Sequence, residues 1–402
     1  MTDRSGLGFN TKLSHVGRRS KHEHGFVNPP LLRGSTVLVP TVAQRKALQA
    51  QPGARVLTYG LGGSETHWAL EDAIAEIEGG TRCFIVGSGL SAVTTPLLAF
   101  MKAGDHCLMP DHVYGPARNF CDGMLKRFGV ETTYYDPCIT GDGIAALMRP
   151  NTTVVYTESP GSHTFEVQDI PAIAAAAHAG GAPGGVKVMM DNTWGIHHFQ
   201  PFKHGVDVSI QAATKYLAGH SDVLIGSITV NNEADWLTLH AGARGLGQYA
   251  SPDDCWLTLR GIRTMGVRLA AQMDAGMQVA HWLRKRPEVA QVLHPGLPGA
   301  PGHEIWRRDF TGASSLFGVE FKPSFTPEAT HAFVEALELF GIGASWGGFE
   351  SLAVPTTGNI TRTAGSGNFA GPVVRIHIGL ENVDDLLADL DHGLAVMRGV
   401  GG

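Results

Sequence analysis

The sequence has few cysteines, no long apolar run and no block of like charges. Its five cysteines are scattered and form no C-x-x-C pair, which argues against a disulfide framework or a zinc ribbon and favours a reducing compartment. No run reaches the roughly 18 apolar residues of a membrane-spanning helix, and the N-terminus lacks the apolar core of a signal peptide. A net charge of -6 without a basic patch disfavours nucleic acid or an anionic membrane as partner. We therefore expect a cytoplasmic protein that binds neither nucleic acid nor a membrane.

The composition that is present is that of an enzyme-sized globular protein. Of the 402 residues, 43% are hydrophobic and only 17% are charged, so the chain can bury large cores. Its 52 glycines are nearly twice the usual ~7% and indicate many tight turns and close backbone approaches.

Three regions differ in pattern. Residues 1–63 resemble an extended arm, interrupted by prolines, which we expect to pack on another subunit. His22 and His24 lie on this polar arm, where solvated histidines are commoner than metal ligands, and no metal site is predicted. We assign residues 64–261 to a large domain and residues 262–402 to a smaller α+β domain.

The large domain alternates apolar runs with helical stretches. Ser64 and Gly79 are predicted to cap one helix, and Ile170–Ala179 is predicted to be another. Short buried strands separated by helices indicate an α/β fold with a largely parallel, doubly covered sheet. The runs predicted as strands are Cys83–Val86, His106–Met109, Thr152–Tyr156, Val186–Met190, Val206–Ile210 and Val223–Val230.

A glycine-rich turn follows the first of these strands. Gly87–Ala92 opens a helix, whose free amides and dipole suit a phosphate. The string also fits the dinucleotide fingerprint G-x-G-x-x-A. However, the acid expected at the end of the next strand is missing, because Asp105 precedes that strand and Pro110 ends it. A turn without a ligand is the other interpretation.

Two further strand ends carry reactive side chains. Asp191 follows a buried strand, where it either faces the ligand crevice or caps a turn. Lys215 follows the next strand, where desolvation favours the neutral amine that a Schiff base requires, and Thr214 beside it is a candidate phosphate ligand.

The smaller domain supplies an arginine inside an apolar strand. Arg375 in Val373–Gly379 needs a fixed anion, either a bound carboxylate or an internal acid. Ser345 and Trp346 offer backbone groups and an aromatic wall nearby in sequence. A phosphate cradle, an acid, an amine nucleophile and a carboxylate-binding arginine together match the needs of pyridoxal phosphate, on whose ring Tyr114 could stack.

With these residues the chain resembles the Cys/Met metabolism family of pyridoxal-phosphate enzymes, from about Thr58 to Leu390. The most specific stretches are Ser209–Leu217, Arg260–Leu269, Ser345–Leu352 and Arg375–Leu386. The resemblance implies the fold-type-I transferase fold, with a mostly parallel seven-stranded sheet. It also implies a homo-oligomer, typically a dimer of dimers, that acts on amino acids in methionine biosynthesis and transsulfuration.

The resemblance also implies a role for each candidate residue. Lys215 would form the Schiff base with the cofactor, and Asp191 would pair with its pyridine nitrogen. Tyr114 would stack on the ring. Gly89, Leu90 and Thr214 would hold the phosphate, Arg375 and Ser345 the substrate α-carboxylate, and Tyr59 would reach into the neighbouring subunit's site.

The chain departs from the family pattern at four positions. Leu61 stands where the family has an arginine that reaches a neighbour's phosphate, and Gly62 where bacterial β-lyases often add a second. Asn119 replaces an aspartate and Ala344 a tyrosine, which should reshape the far end of the substrate pocket. We expect the loss at Leu61 to weaken cofactor binding without abolishing it.

The favoured function is a carbon–sulfur β-lyase that converts cystathionine to homocysteine, pyruvate and ammonia. γ-Elimination or γ-replacement on another thioether amino acid is the related alternative, which the residues alone do not separate. A nicotinamide oxidoreductase is disfavoured by the misplaced acid. A cofactor-binding protein with little catalysis remains open, because Leu61 and Ala344 remove expected functional groups.

Overall fold

A computed structural model of the chain describes residues 6–18, 25–51, 53–365 and 369–400. His22 and His24 therefore lie outside the described residues. The helices are α1 Phe9–His15, α2 Val42–Gln49, α3 Glu65–Glu78, α4 Gly89–Phe100, α5 Gly115–Phe120, α6 Gly141–Leu147, α7 Ile170–Ala179, α8 Glu233–Gly245, α9 Pro252–Leu283, α10 His303–Asp309, α11 Pro327–Glu335 and α12 Val383–Val400.

The strands form two sheets. Seven strands make the larger sheet, in the order β1-β7-β6-β5-β4-β2-β3, and four make the smaller, in the order β10-β11-β9-β8. The strands are β1 Arg82–Val86, β2 His106–Pro110, β3 Glu131–Tyr135, β4 Thr152–Glu158, β5 Lys187–Asp191, β6 Val208–Gln211, β7 Gly226–Val230, β8 Val289–Leu293, β9 Leu316–Phe321, β10 Leu352–Pro355 and β11 Val373–His377.

The larger sheet has the parallel, doubly covered character expected from its apolar runs. Only β7 runs antiparallel to its neighbours, β1 and β6. Side chains alternate between faces, as a strand requires: Met189 packs with the α4 and α8 side chains, whereas Val188 and Met190 pack with those of α7. The fold class predicted from the sequence is confirmed.

The residues at the two ends of α3 show how the local sequence determines where a helix begins and ends. Ser64 and His67 form a reciprocal capping box at its start. Gly79 ends the helix with a φ of 76°, a left-handed conformation that glycine adopts without strain.

Helix α9 connects the two sheets. It runs without a break from Pro252 to Leu283, so the predicted domain boundary at 261–262 falls inside one helix. Arg268 donates Nη2 to the carbonyl of Tyr216 at 2.9 Å, and Gln272, one turn later, donates Nε2 to the carbonyl of Gly348 at 2.7 Å. One helix face is therefore bonded both to the loop after β6 and to the segment before β10.

The N-terminal arm is less extended than its prolines indicate. It contains α1 and α2, and Leu13 and Val16 of its first part are buried in the core against α9. Arg263 fixes this part by donating Nη1 to the carbonyls of Leu13 and Val16 at 2.7 and 2.8 Å. By contrast, Phe26 and Leu38 farther along the arm are 78% and 89% exposed, so the protomer itself does not cover them.

Candidate active site

Lys215 lies in a tight turn directly after β6. Its amide donates to the carbonyl of Ala212 at 2.9 Å, and its carbonyl accepts from the amide of Gly219 at 2.7 Å. The Nζ atom donates to Oγ of Ser345 at 2.5 Å. The hydrogen bond thus joins the large sheet's loop to the segment preceding β10.

The surroundings of Lys215 favour a neutral amine. Burial, followed by the positive charge of Arg375, lowers the pKa of Lys215 to about 8, against the opposing effect of Asp191. The Trp346 ring centroid lies 5.5 Å from Nζ. An amine with a pKa of about 8 is still mostly protonated at pH 7, but its neutral fraction of about one tenth is far larger than that of an ordinary lysine and can act as a nucleophile or base.

Asp191 ends β5 with one carboxylate oxygen engaged and the other unused. The amide and hydroxyl of Thr193 both donate to Oδ1, at 3.0 and 2.5 Å, while Oδ2 makes no hydrogen bond with the described residues. Burial raises the pKa of Asp191 despite these bonds. Thr193 in turn accepts the amide of Ala212 at 2.9 Å, which ties the Asp191 end to the Lys215 turn.

Arg375 on β11 is a half-buried cation that has no acidic partner among the described residues. Its Nη2 donates to the carbonyl of Ser345 at 3.0 Å, and no ion pair joins it to the part of the chain that the structure describes. Burial lowers the pKa of Arg375, because no described carboxylate offsets the desolvation. The alternative of an internal salt bridge therefore finds no support among these residues.

Ser345, predicted to bind substrate, contacts both cations. Its hydroxyl accepts from Lys215, its carbonyl accepts from Arg375, and its φ of 80° is rare for a residue other than glycine. The next turn is fixed by His377, whose Nε2 accepts the amide of Gly347 at 3.1 Å. Lys215, Asp191, Arg375 and Ser345 together are called the inner site below.

Tyr114 lies at the mouth of the inner site. Its amide donates to Oε2 of Glu158 at 2.8 Å, and Glu158 pairs with Asp191 across β4 and β5. Burial, then the charges of Asp191 and Glu158, raises the pKa of Tyr114, so the phenol stays protonated at neutral pH. Glu158 was not among the predicted residues, although a carboxylate at the end of β4 is the signal that marked Asp191 at the end of β5.

The start of α4 forms the predicted phosphate cradle. Ser88 caps the helix by accepting a hydrogen bond from the amide of Ser91 at 3.1 Å. The cap does not engage the amides of Gly89 and Leu90, which can therefore donate to a ligand. A Cβ at Gly89 would come 2.7 Å from the Cβ of Ala212, so glycine lets the helix start lie against the segment leading to Lys215. The cradle is thus adjacent to the lysine, as a phosphorylated cofactor requires.

Thr214 is engaged differently from the prediction. Its hydroxyl donates to the carbonyl of Ile225 at 3.1 Å and accepts the amide of Ile225 at 2.9 Å. To donate to a phosphate the hydroxyl must rotate away from this carbonyl.

A buried acid beneath the strand ends holds them together. Glu78 of α3 accepts hydrogen bonds from Asn192, Ser209 and Gln211. Burial raises the pKa of Glu78 to about 8, so the group is mostly protonated at neutral pH. These hydrogen bonds hold the strand ends next to Asp191 and Lys215, and no motif in the sequence predicted them.

Tyr59, Leu61 and Gly62 lie apart from the inner site of their own protomer. Tyr59 is 54% exposed, and its backbone forms a strand bridge with Thr36. The guanidinium of Arg244 donates to the carbonyl of Leu61, and a Cβ on Gly62 would come 3.3 Å from Nη2 of Arg244. A cation therefore lies against the segment that lacks the family's arginines.

A second cavity, called the outer cleft below, opens beside Tyr114. Its volume is about 390 Å³. The residues that line it include Tyr114, Asn119, His163 and Arg362. Asn119 was singled out in the sequence as an altered position. His163 and Arg362 were not, because each follows no strand or glycine motif that marks a site. Ala344, the other altered position, is exposed immediately before Ser345.

The residues present fit pyridoxal phosphate. Free helix amides beside Lys215 suit its phosphate, and the unused Oδ2 of Asp191 suits a protonated pyridine nitrogen. Among the described residues, no cluster of histidine, cysteine, aspartate or glutamate could hold a metal ion. No helix in the described ranges is both long and apolar enough to cross a membrane.

Comparisons with known proteins agree with this geometry. The family model described as Cys/Met metabolism PLP-dependent enzyme matches residues 10–395. A putative cystathionine β-lyase of Rhizobium johnstonii is 48% identical over 98% of this chain and 97% of its own. Cystathionine β-lyase MetC of Escherichia coli is 42% identical over 96% of this chain and 98% of its own. The crystal structure of metB from Corynebacterium glutamicum superposes with a TM-score of 0.88 at 29% identity, covering 98% of this chain and 99% of that one.

Proposed function

Because the chain belongs to the Cys/Met metabolism family of pyridoxal-phosphate enzymes, we propose that it is a carbon–sulfur β-lyase that cleaves L-cystathionine. In this reaction the bond between Cβ and sulfur breaks and homocysteine leaves. The remaining three-carbon unit takes up water and is released as pyruvate and ammonia. γ-Chemistry is the alternative that the comparisons do not favour.

The observation that supports the proposal is that two basic side chains without a bonded carboxylate both donate hydrogen bonds to Ser345. Lys215 and Arg375 both donate to Ser345, and neither has a carboxylate within hydrogen-bonding distance among the described residues. A substrate with an α-carboxylate supplies the anion that Arg375 lacks. It also brings its Cα–H towards the lysine amine.

The cofactor supplies the chemistry that the side chains cannot. Bound pyridoxal phosphate accepts electron density from the substrate Cα and so stabilises the carbanion that proton removal leaves. We propose that Lys215 holds it covalently and that the amides of Gly89 and Leu90, with Thr214, hold its phosphate. Asp191 would keep its ring nitrogen protonated, and Tyr114 and Trp346 would flank the bound groups.

The proposed work of the protein is to position groups and to move one proton. Arg375 binds the α-carboxylate with charge-assisted hydrogen bonds, which fix the orientation of Cα. Lys215 would act as the base that removes the Cα proton, since burial and the charge of Arg375 lower its pKa to about 8. The hydroxyl of Ser345 accepts from Nζ and so aims the amine in the direction of Arg375.

The decisive experiment is product analysis with purified holoenzyme. We expect pyruvate and homocysteine in equal amounts from L-cystathionine. Formation of 2-oxobutyrate and cysteine instead would indicate γ-elimination. Absence of any keto acid, in a preparation whose visible absorbance shows bound cofactor, would indicate the non-catalytic alternative.

We also propose a cytoplasmic homo-oligomer, with the arm of residues 1–63 contacting a neighbouring subunit. The exposed apolar side chains of the arm, including Phe26 and Leu38, support a partner surface, since a monomer gains nothing by leaving them in water. Tyr59 would then reach the neighbour's inner site. Light scattering of the purified protein tests the assembly.

A further inference from the structure

The outer cleft is larger than an α-carboxylate and amine need. At about 390 Å³ it falls within the usual size range of ligand sites. It begins at Tyr114, whose pKa responds to both Asp191 and Arg375, so it adjoins the inner site. A thioether substrate whose α-amino-acid end lies at Arg375 would extend its far end into this space.

The ionic groups around the outer cleft are mutually paired. Asp111 accepts from Arg118 at 2.6 Å and from the backbone of residues 363–365, and its pKa is lowered to about 2 by these bonds despite burial. Glu166 pairs with Arg362, whose side chain is 5% exposed, and with His112. An occupant therefore meets no unpaired acid, and a strongly basic ligand is not favoured.

His163 lines the cleft with unused hydrogen-bonding capacity, as does Arg362, whose Nε and Nη1 are buried without a partner among the described residues. It makes no side-chain hydrogen bond with the described residues, and its Nδ1 is buried without a partner. Its φ of 65° is a left-handed conformation that a non-glycine residue adopts rarely and at some cost. Its carbonyl lies against Gly318, the cross-strand partner of Arg375, so the loop is fixed next to that arginine.

The surroundings decide which nitrogen carries the proton. Burial, then the charge of Arg375, lowers the pKa of His163 to about 4, so the ring is neutral at physiological pH. A buried acceptor without a partner is better tolerated than a buried N–H without one. We therefore assign the proton to Nε2, which makes Nε2–H the donor available to the cleft that His163 lines. A donor that lies close enough to feel the positive charge of Arg375 suits a carboxylate.

We propose that His163 is a specificity-determining residue, whose Nε2–H donates to the carboxylate at the far end of a thioether amino acid bound through its α-carboxylate at Arg375. The preferred substrates are then thioethers that carry a second amino-acid group, rather than short S-alkyl cysteines. This inference rests on the proposed function, because it assumes that the inner site cleaves thioether amino acids.

The test compares two substrates across three variants of the holoenzyme. L-Cystathionine has the far carboxylate and S-methyl-L-cysteine lacks it. We expect His163→Leu to raise KM for L-cystathionine about tenfold or more, the usual effect of losing a hydrogen bond to a charged group. The kcat for L-cystathionine and the KM for S-methyl-L-cysteine should each stay within about twofold. His163→Asn keeps a donor and tolerates the positive φ, so it should recover part of the loss. His331→Leu, at an exposed histidine of α11 that does not line the cleft, is the matched control and should change neither substrate.

An equal effect of His163→Leu on both substrates, or no effect on either, would overturn the inference. If His163→Leu does not fold, as judged by its thermal midpoint and cofactor absorbance, the ratio measured for His163→Asn decides instead. Wild-type enzyme that releases no pyruvate from L-cystathionine would contradict the proposed function itself, a result distinct from a wild type that turns over cystathionine but does not depend on His163.

Discussion

The inner site and the outer cleft handle charge in opposite ways. In the inner site, Lys215 and Arg375 are cations without bonded acids in the described chain, and Asp191 keeps one oxygen unused. In the outer cleft, Asp111 and Glu166 are each paired with an arginine. Uncompensated charge under burial is costly, and it persists where a ligand supplies the missing partner. Paired charge around a cavity instead gives a rigid wall that selects by shape and by a few donors.

Substitution of Lys215 should lower the activity of the inner site more than any other substitution. Lys215→Ala removes the base and the covalent anchor, so we expect turnover of cystathionine to fall by at least about 10⁴-fold. Lys215→Arg, which keeps the charge but not the nucleophilic amine, should be nearly as inactive. Stopped-flow or endpoint pyruvate assays measure both.

The position of the anchor is tested chemically. Borohydride reduction of holoenzyme followed by peptide mapping should find the cofactor on Lys215. A label on another lysine would contradict the assignment, whatever the activities of the variants.

Arg375 should have the next largest effect. Arg375→Ala removes the charge that binds the α-carboxylate, and such a loss typically costs about 2–5 kcal/mol. We expect the KM for cystathionine to rise by well over a factor of about ten, and Arg375→Lys to recover only part because it cannot bind a carboxylate with two parallel bonds. An unchanged KM in Arg375→Ala would mean that another group binds the carboxylate.

The same variants change the titration of Lys215 in a defined direction. The charge of Arg375 lowers the pKa of Lys215, so Arg375→Ala should raise that pKa from about 8 towards its usual 10.5. Uptake of cofactor by apoenzyme requires the neutral amine. Its pH profile should therefore shift to higher pH in Arg375→Ala but not in Arg375→Lys, and an unshifted profile in Arg375→Ala would contradict the electrostatic coupling.

Asp191→Asn should slow proton removal at Cα by about tenfold or more, because it replaces a charged hydrogen bond by a neutral one and no longer keeps the ring nitrogen of the cofactor protonated. The fold should remain intact, since an amide oxygen at the Oδ1 position can still accept from Thr193. The measurements are exchange of the substrate Cα proton with solvent deuterium and the thermal midpoint. A near-normal rate of exchange would mean that Asp191 only caps a turn and does not act on the cofactor.

The smallest effect is expected at the Leu61 segment. Arg244 lies against the Leu61 carbonyl, so we expect it to supply part of the positive charge that position 61 lacks. Arg244→Ala should weaken cofactor retention through dialysis about tenfold, as for one charge-assisted hydrogen bond. Leu61→Arg should tighten retention, most clearly when combined with Arg244→Ala. If neither substitution changes retention, this segment does not serve the cofactor.

Local patterns in the sequence predicted the parts of the fold that local forces determine. The Ser64 and Gly79 caps and the helix Ile170–Ala179 were predicted correctly, because capping and periodicity act within a few residues. Strand β3, Glu131–Tyr135, was missed: its sequence ETTYY has no aliphatic run, and it lies at an edge of the sheet, where polar residues are tolerated. The helices of the arm were missed because prolines around them dominated the pattern.

The candidate site divides in the same manner. Lys215, Asp191 and Arg375 each stand at or within an apolar strand, so their charge was conspicuous in the sequence. Glu158 and His163 become important only through contacts with segments far along the chain, and no spacing in a single sequence encodes such contacts. The engagement of Thr214 with Ile225 was hidden for the same reason.

The hydrogen bonds made by α9 help to determine the distance between the two segments that form the inner site. Arg268 donates a hydrogen bond to the loop that carries Lys215, and Gln272 donates one to the segment that follows Ser345 and Trp346. These two residues lie four apart on one helix, a spacing of about 6 Å along its axis. The distance between the Lys215 loop and the segment that carries Ser345 and Trp346 is therefore set in part by the helical repeat of α9, in addition to the two sheets. A change of side-chain length at position 272 would alter that separation without touching any residue that contacts substrate.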